Sequence, residues 1–136
     1  MSDLTRPPRP IYRNINIGQI AAYRLPAAGL ISILHRVSGA LLFVLLPFLL
    51  YLFDRSLTSV ATFAALKSLF ASWPIKIVVL AMIWAYLHHF CAGIRHLFMD
   101  VHLGLEKESG RNTAIAVFVV SLVLWLAFAL KTFGAF

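Results

Sequence analysis

The sequence carries too little charge to cover a surface facing water. Asp, Glu, Lys and Arg make up 12% of its 136 residues, against about a quarter in an ordinary soluble domain. Hydrophobic residues reach 61%, so lipid is the expected solvent for most of the chain. Acidic residues are scarcest, five against twelve Lys and Arg. The basic excess does not form the clustered patch that nucleic-acid binding needs. The cations stand mostly at the edges of apolar runs, where they face anionic headgroups, and no nucleic-acid partner is expected. The single cysteine, Cys91, excludes an intrachain disulfide and a cysteine metal cluster. Inside an apolar run, it reads as a small packed side chain. The chain has no GxGxxG, no phosphate-binding GKS or GKT loop and no paired deep carboxylates for acid–base work. It has no internal repeat, which leaves an inverted-repeat transporter without support. Residues 1–14 are basic and Pro-rich with no apolar core, unlike a secretory signal peptide. They are also short and Ser-poor for a transit peptide. A bacterial inner (cytoplasmic) membrane is therefore expected, with the mitochondrial inner membrane as the alternative.

Long apolar runs, in contrast, are abundant. A bilayer core about 30 Å thick needs about 20 apolar residues in a helix. Three runs qualify, at about 30–53, 74–98 and 113–133. None alternates as a membrane β-strand would. The expected fold is all-α, a three-helix transmembrane bundle. Residues 1–29 form a cytoplasmic and interfacial N-terminal segment, and residues 30–136 form the three-span anchor domain. Pro74 suits the first turn of the second span, and Pro47 should kink the first. Eight cations, Arg6, Arg9, Arg13, Arg24, Arg36, Arg95, Lys107 and Arg111, fall on one side of this topology. Four, Arg55, Lys67, Lys76 and Lys131, fall on the other. The positive-inside rule then puts the N-terminus in the cytoplasm or matrix.

Polar residues within the spans are costly and are functional candidates. In the first span Ser32, His35, Arg36 and Gly39 share one helical face at steps of three, one and three. That face suits a flat, partly polar molecule, with Arg36 opposite an anionic oxygen and Ser32 donating to a carbonyl. The competing reading is that His35 and Arg36 snorkel to the interface. In the second span His89, Gly93, His96 and Asp100 also share a face, with His89 about 10 Å deeper than His96. His89 suits a haem iron ligand, and Gly93 would admit a porphyrin plane against the backbone. Alternatively, His89 hydrogen-bonds a neighbouring helix. His96 and Asp100 are placed to pair. His88 is rotated by about 100° from His89 and should face elsewhere. Ser32, His35 and Arg36 should lie near the level of His96, where His35, Arg36 and His96 would offset haem propionates. The same layer can hold a quinone head. The first and third spans offer no second deep histidine, so another axial ligand must come from another chain. His102 and Glu106-Lys107-Glu108 read as an exposed loop.

Two segments carry a family resemblance. Ser32-Ile-Leu-His-Arg-Val-Ser-Gly39 resembles the S-x-x-H-R-x-S/T-G signature of the succinate dehydrogenase cytochrome b556 subunit family. His89-Phe-Cys-Ala-Gly-Ile-Arg-His-Leu-Phe-Met-Asp100 resembles that family's H-x-x-x-G-x-R-H-L-x-x-D signature. Arg6, Arg9-Pro10 and the aliphatic stretch after them are similar to its N-terminal segment. The resemblance implies a non-catalytic membrane anchor of succinate:ubiquinone oxidoreductase, respiratory complex II. Its partners would be a second small anchor subunit, an iron–sulfur subunit and a flavoprotein, the last two holding the iron–sulfur clusters and FAD. Succinate would be oxidised in the flavoprotein, in the tricarboxylic acid cycle, and electrons would pass to ubiquinone. By motif position, His89 would be an axial ligand of haem b shared with the second anchor. Ser32 and Arg36 would line the quinone pocket, and His35, Arg36 and His96 would lie near the propionates. His88 beside His89 leaves open which imidazole ligates. The alternatives are a fumarate reductase anchor, or a haem-free structural or transport protein.

Overall fold

The computed structural model describes residues 16–134. Arg6, Arg9-Pro10 and Arg13, used above for orientation and for the resemblance, lie outside the described residues. Five helices follow in chain order: α1 (Ile17–Ala22), α2 (Ala27–Thr58), α3 (Val60–Ala71), α4 (Trp73–Asp100) and α5 (Lys107–Thr132). Among the described residues there is no strand. In hydrocarbon, backbone N–H and C=O groups must pair within the segment, which favours helix for the long apolar runs.

Three helices, α2, α4 and α5, are long and apolar enough to cross a bilayer, with mean hydropathies of 2.1, 1.8 and 2.6 over their best windows. The chain is thus a multi-pass membrane protein. Each expected span lies almost wholly inside one of these helices. All three helices begin before the expected span starts, and α2 also runs past Phe53 to Thr58. Helix α2 continues through Pro47. Ser72 precedes α4 and Pro74 sits in its first turn, where a missing N–H costs nothing.

Helix α3 was not expected from hydropathy. It has 12 residues, about 18 Å of rise, too short to cross about 30 Å of hydrocarbon. A reciprocal cap starts it: Ser59 Oγ accepts from the Thr62 N–H at 3.1 Å, and Thr62 Oγ1 accepts from the Ser59 N–H at 3.1 Å. This capping box satisfies two donors that the turn would otherwise strand. The α4–α5 turn uses left-handed backbone at His102 and Gly104, with φ of 64° and 77°.

Helix α4 packs against both α2 and α5, and α2 also meets α5. Ile31, Ala92, Ala114 and Val117 are buried where the three meet, with Ala27, Ala28 and Cys91 packed beside them. Small residues at this junction let helix backbones approach. Cys91 fills the packing role expected of it. Trp125 Nε1 donates to the Leu80 carbonyl at 2.8 Å, tying α5 to α4 further along. Large side chains such as Phe43, Val44 and Phe53 are mostly exposed, as a lipid-facing surface requires.

Candidate functional site

The two polar clusters meet across the α2–α4 seam. The His35 and His89 rings stack with centroids 4.2 Å apart and planes 8° apart. His35 also tilts against His96, at 4.9 Å and 40°. His35 of α2 therefore touches both α4 histidines. Gly93 lies between them in the α4 sequence, and a β-carbon on it would stand 3.6 Å from His35 Nε2. Lacking a side chain, Gly93 leaves room for His35. The sequence spacing had assigned that glycine to a bound plane; in the structure its neighbour is an imidazole.

His89 is fixed by α2. Its Nδ1 lies 3.1 Å from the His35 carbonyl oxygen and 3.3 Å from Ser38 Oγ. A carbonyl only accepts, so the contact to His35 requires a proton on Nδ1. Ser38 Oγ donates to the same carbonyl at 3.0 Å. The neutral ring is then left with a lone pair on Nε2. This arrangement, one ring nitrogen donating to a carbonyl and the other free to coordinate, is common for metal-binding histidines. Gly39 permits the approach, since a β-carbon there would fall 2.8 Å from His89 Cε1.

The residues fit a haem in three respects. His89 offers one coordinating nitrogen in a medium poor in competing ligands. His35 and His96 bring further imidazoles beside it, and Arg36, next to His35 on α2, is exposed and supplies a permanent positive charge. Among the described residues no cluster of three metal ligands occurs. Ser32 is half-buried one turn before Arg36 on α2.

His88 points away, as its register predicted. It is 1% exposed and packs by Trp84 at 5.4 Å and Phe118 at 6.5 Å between ring centroids. Neither His88 ring nitrogen has a hydrogen-bond partner, nor does the buried Trp84 Nε1. The aromatic walls around His88 come from α4 and α5, and the Ile31 backbone of α2 also lies beside it.

One expected pair is not made, and one cation is buried. His96 makes its ring contact with His35, and no hydrogen bond joins it to Asp100 among those described. The aromatic contact sets the imidazole against α2. Arg95 keeps the side on which it was counted above, but it is 7% exposed. Its Nε donates to Thr113 Oγ1 at 3.1 Å and its Nη2 to the Gly110 carbonyl at 3.2 Å. It turns inward because the start of α5 offers acceptors that hydrocarbon lacks. Sequence reasoning gave Ser38 no role of its own, although it stands at the S/T position of the first signature.

Known proteins carry the same pattern. The family described as succinate dehydrogenase/fumarate reductase transmembrane subunit matches residues 5–128. The succinate dehydrogenase cytochrome b556 subunit of Coxiella burnetii is 38% identical over 113 residues, 82% of this chain and 89% of that protein. The subunit of the same name from Paracoccus denitrificans is 32% identical over 124 residues, 91% of this chain and 92% of that one. That from Rickettsia felis is 31% identical over 110 residues, 77% and 82% of the two chains. A match across nearly all of the three spans, joined to a site assembled from both motifs, settles the family: the chain belongs to the transmembrane subunits of succinate dehydrogenase and fumarate reductase.

Proposed function

We propose that this chain is the cytochrome b membrane anchor of a succinate:ubiquinone oxidoreductase. In this reading it shares haem b with a second small anchor subunit and helps bind ubiquinone. The flavoprotein and iron–sulfur subunits dock on the side of the N-terminus and the α4–α5 turn. The observation that carries the reading is the locked imidazole of His89, with Nδ1 held by the His35 carbonyl and Nε2 left to coordinate. When bound, haem b supplies a one-electron couple within the membrane. His89 orients the iron from α4, and the His35 carbonyl and Ser38 hold its ring and tautomer. His35, Arg36 and His96 offset propionate charge. Ser32 donates to a quinone carbonyl, and Arg36 stabilises negative charge on a quinone oxygen during reduction. The succinate site lies in the flavoprotein, so this chain has no part in hydride abstraction.

Orientation follows from charge. Even without Arg95, seven cations remain on the side of the N-terminus against four on the other, which supports a cytoplasmic N-terminus in a bacterial inner membrane. The family includes fumarate reductase anchors, and such an anchor, with electrons running from quinol, is the second reading. The three relatives above, all named for succinate dehydrogenase, favour the oxidative direction.

Purification in mild detergent tests the proposal directly. A b-type reduced-minus-oxidised spectrum and co-purifying flavoprotein and iron–sulfur chains are expected. A colourless chain without these companions would point instead to a haem-free structural or transport protein.

A further inference from the structure

Among the described residues, Arg95 is a buried cation without a counter-charge. It is 7% exposed, and among the described residues its hydrogen-bond partners are a hydroxyl and a carbonyl. Neutral partners reduce the cost of burying a guanidinium but do not neutralise it. Arg95 also lines a groove of about 470 Å³ between α4 and α5. At one end of the groove are Arg95, Gly104 and Ser109, beside the start of α5. The N-terminus of a 26-residue helix adds partial positive charge there, where Lys107 and Arg111 stand against Glu106 and Glu108. From that end the groove continues along apolar side chains, including Ala116, Val117 and Val120. Ser109 to Val120 spans about 16 Å of helix, close to one leaflet of a hydrocarbon core about 30 Å thick.

We propose that this groove is a binding site for one anionic phospholipid. The phosphate lies against Arg95 at the level of the α4–α5 turn, and one acyl chain runs along α5 toward the bilayer centre. The charge, the apolar walls and the length match the two parts of such a lipid. Basic pockets between transmembrane helices are recognised sites for anionic headgroups. The inference is independent of the haem and quinone assignments, because neither His89 nor Arg36 lines this groove.

The test is lipid retention. The full chain, purified with the subunits that accompany it, is equilibrated in detergent micelles holding equal phosphatidylglycerol and phosphatidylcholine. It is then washed, and the retained lipid is quantified by mass spectrometry. Wild type should keep phosphatidylglycerol over phosphatidylcholine by about tenfold or more. R95Q should abolish that preference, R95K should keep part of it, and A116W should block the chain channel and lose the lipid with Arg95 intact. Equal retention of both lipids by wild type would overturn the proposal. So would undiminished phosphatidylglycerol on R95Q or A116W. Loss of an associated subunit from R95Q, with its lipid unchanged, would assign Arg95 to a protein carboxylate and also overturn it. Should R95Q fail to fold, as judged by helical circular dichroism and monodispersity, A116W and R95K decide the question.

Discussion

Gly39 and His89 meet so closely that the glycine has no room for a side chain. A β-carbon at 39 would lie 2.8 Å from His89 Cε1, well inside ordinary carbon contact. The imidazole cannot retreat freely, because its Nδ1 is held by the His35 carbonyl and lies near Ser38. Gly39→Ala should therefore force α2 and α4 apart or turn the ring. Alanine gains about 1 kcal/mol of helix propensity over glycine, but overpacking costs about 1–3 kcal/mol, and the clash should win. A lowered thermal midpoint in detergent, with a changed b-type spectrum, is the expected outcome. Gly93→Ala provides the contrast. Its new methyl would meet His35 Nε2 at 3.6 Å, an ordinary distance, so the propensity gain should stand and stability should hold or rise by up to about 1 kcal/mol. A spectral change in Gly93→Ala without loss of stability would put the porphyrin against α4 at that glycine.

The adjacent histidines should separate by phenotype. His89→Leu removes the proposed axial nitrogen and should abolish or shift the reduced b-type spectrum of the purified complex. His88→Leu replaces a ring whose two nitrogens have no partners with a side chain suited to the same aromatic walls. Removing unsatisfied buried polar atoms is often neutral or stabilising, so its spectrum should be retained and its thermal midpoint unchanged or higher. Loss of the spectrum in His88→Leu, with retention in His89→Leu, would reverse the assignment.

The legible parts of the sequence were those governed by one helix at a time. Hydropathy located the three spans, and the four-residue register separated His88 from His89. Contacts between helices were less legible. The face shared by His35 and Gly39 was visible, but not that Gly39 would receive His89 or that His35 would occupy the space above Gly93. Ser38 stood in the first signature, but its contact with His89 was not legible, because a serine three residues after a histidine becomes significant only when a second ring reaches that turn. The burial of Arg95 was not legible, since snorkelling is the usual fate of a cation near a helix end. The acceptors that draw it inward lie 15 and 18 residues further along the chain. Helix α3 was missed because its 12 residues fall below any spanning threshold, although Ser59 and Thr62 carried a local start signal.

Ser32 and Arg36 should report on quinone and not on succinate. Both lie on α2 in the membrane-spanning part of the chain, remote in the proposed assembly from the flavoprotein site. Ser32→Ala removes a neutral donor, typically about 0.5–1.5 kcal/mol, and should lower quinone reductase activity several-fold. Arg36→Leu removes a charged donor, about 1.5–3 kcal/mol, and should lower it by about tenfold to a hundredfold. Succinate oxidation with a soluble electron acceptor should be unchanged in both. Undiminished quinone turnover in both variants would remove these residues from the quinone pocket.

Trp125 provides a prediction confined to the fold. Its Nε1 donates to the Leu80 carbonyl across the α4–α5 contact, while Leu80 itself is buried. That carbonyl belongs to a helix, so it already accepts within α4 and the indole adds a second bond. Trp125→Phe keeps an aromatic ring but deletes the donor. The carbonyl keeps its helical partner, so no buried acceptor is left wholly unpaired. The cost should accordingly be near the average for polar contacts between membrane helices, about 0.6 kcal/mol, and below about 1.7 kcal/mol. Detergent unfolding should show a drop of that size. The haem spectrum and quinone kinetics should not move, because the bond lies on the α5 side of α4, away from the His35–His89 stack. A larger loss, or a spectral change, would mean that the α4–α5 contact sets the position of His89 as well as holding the third helix.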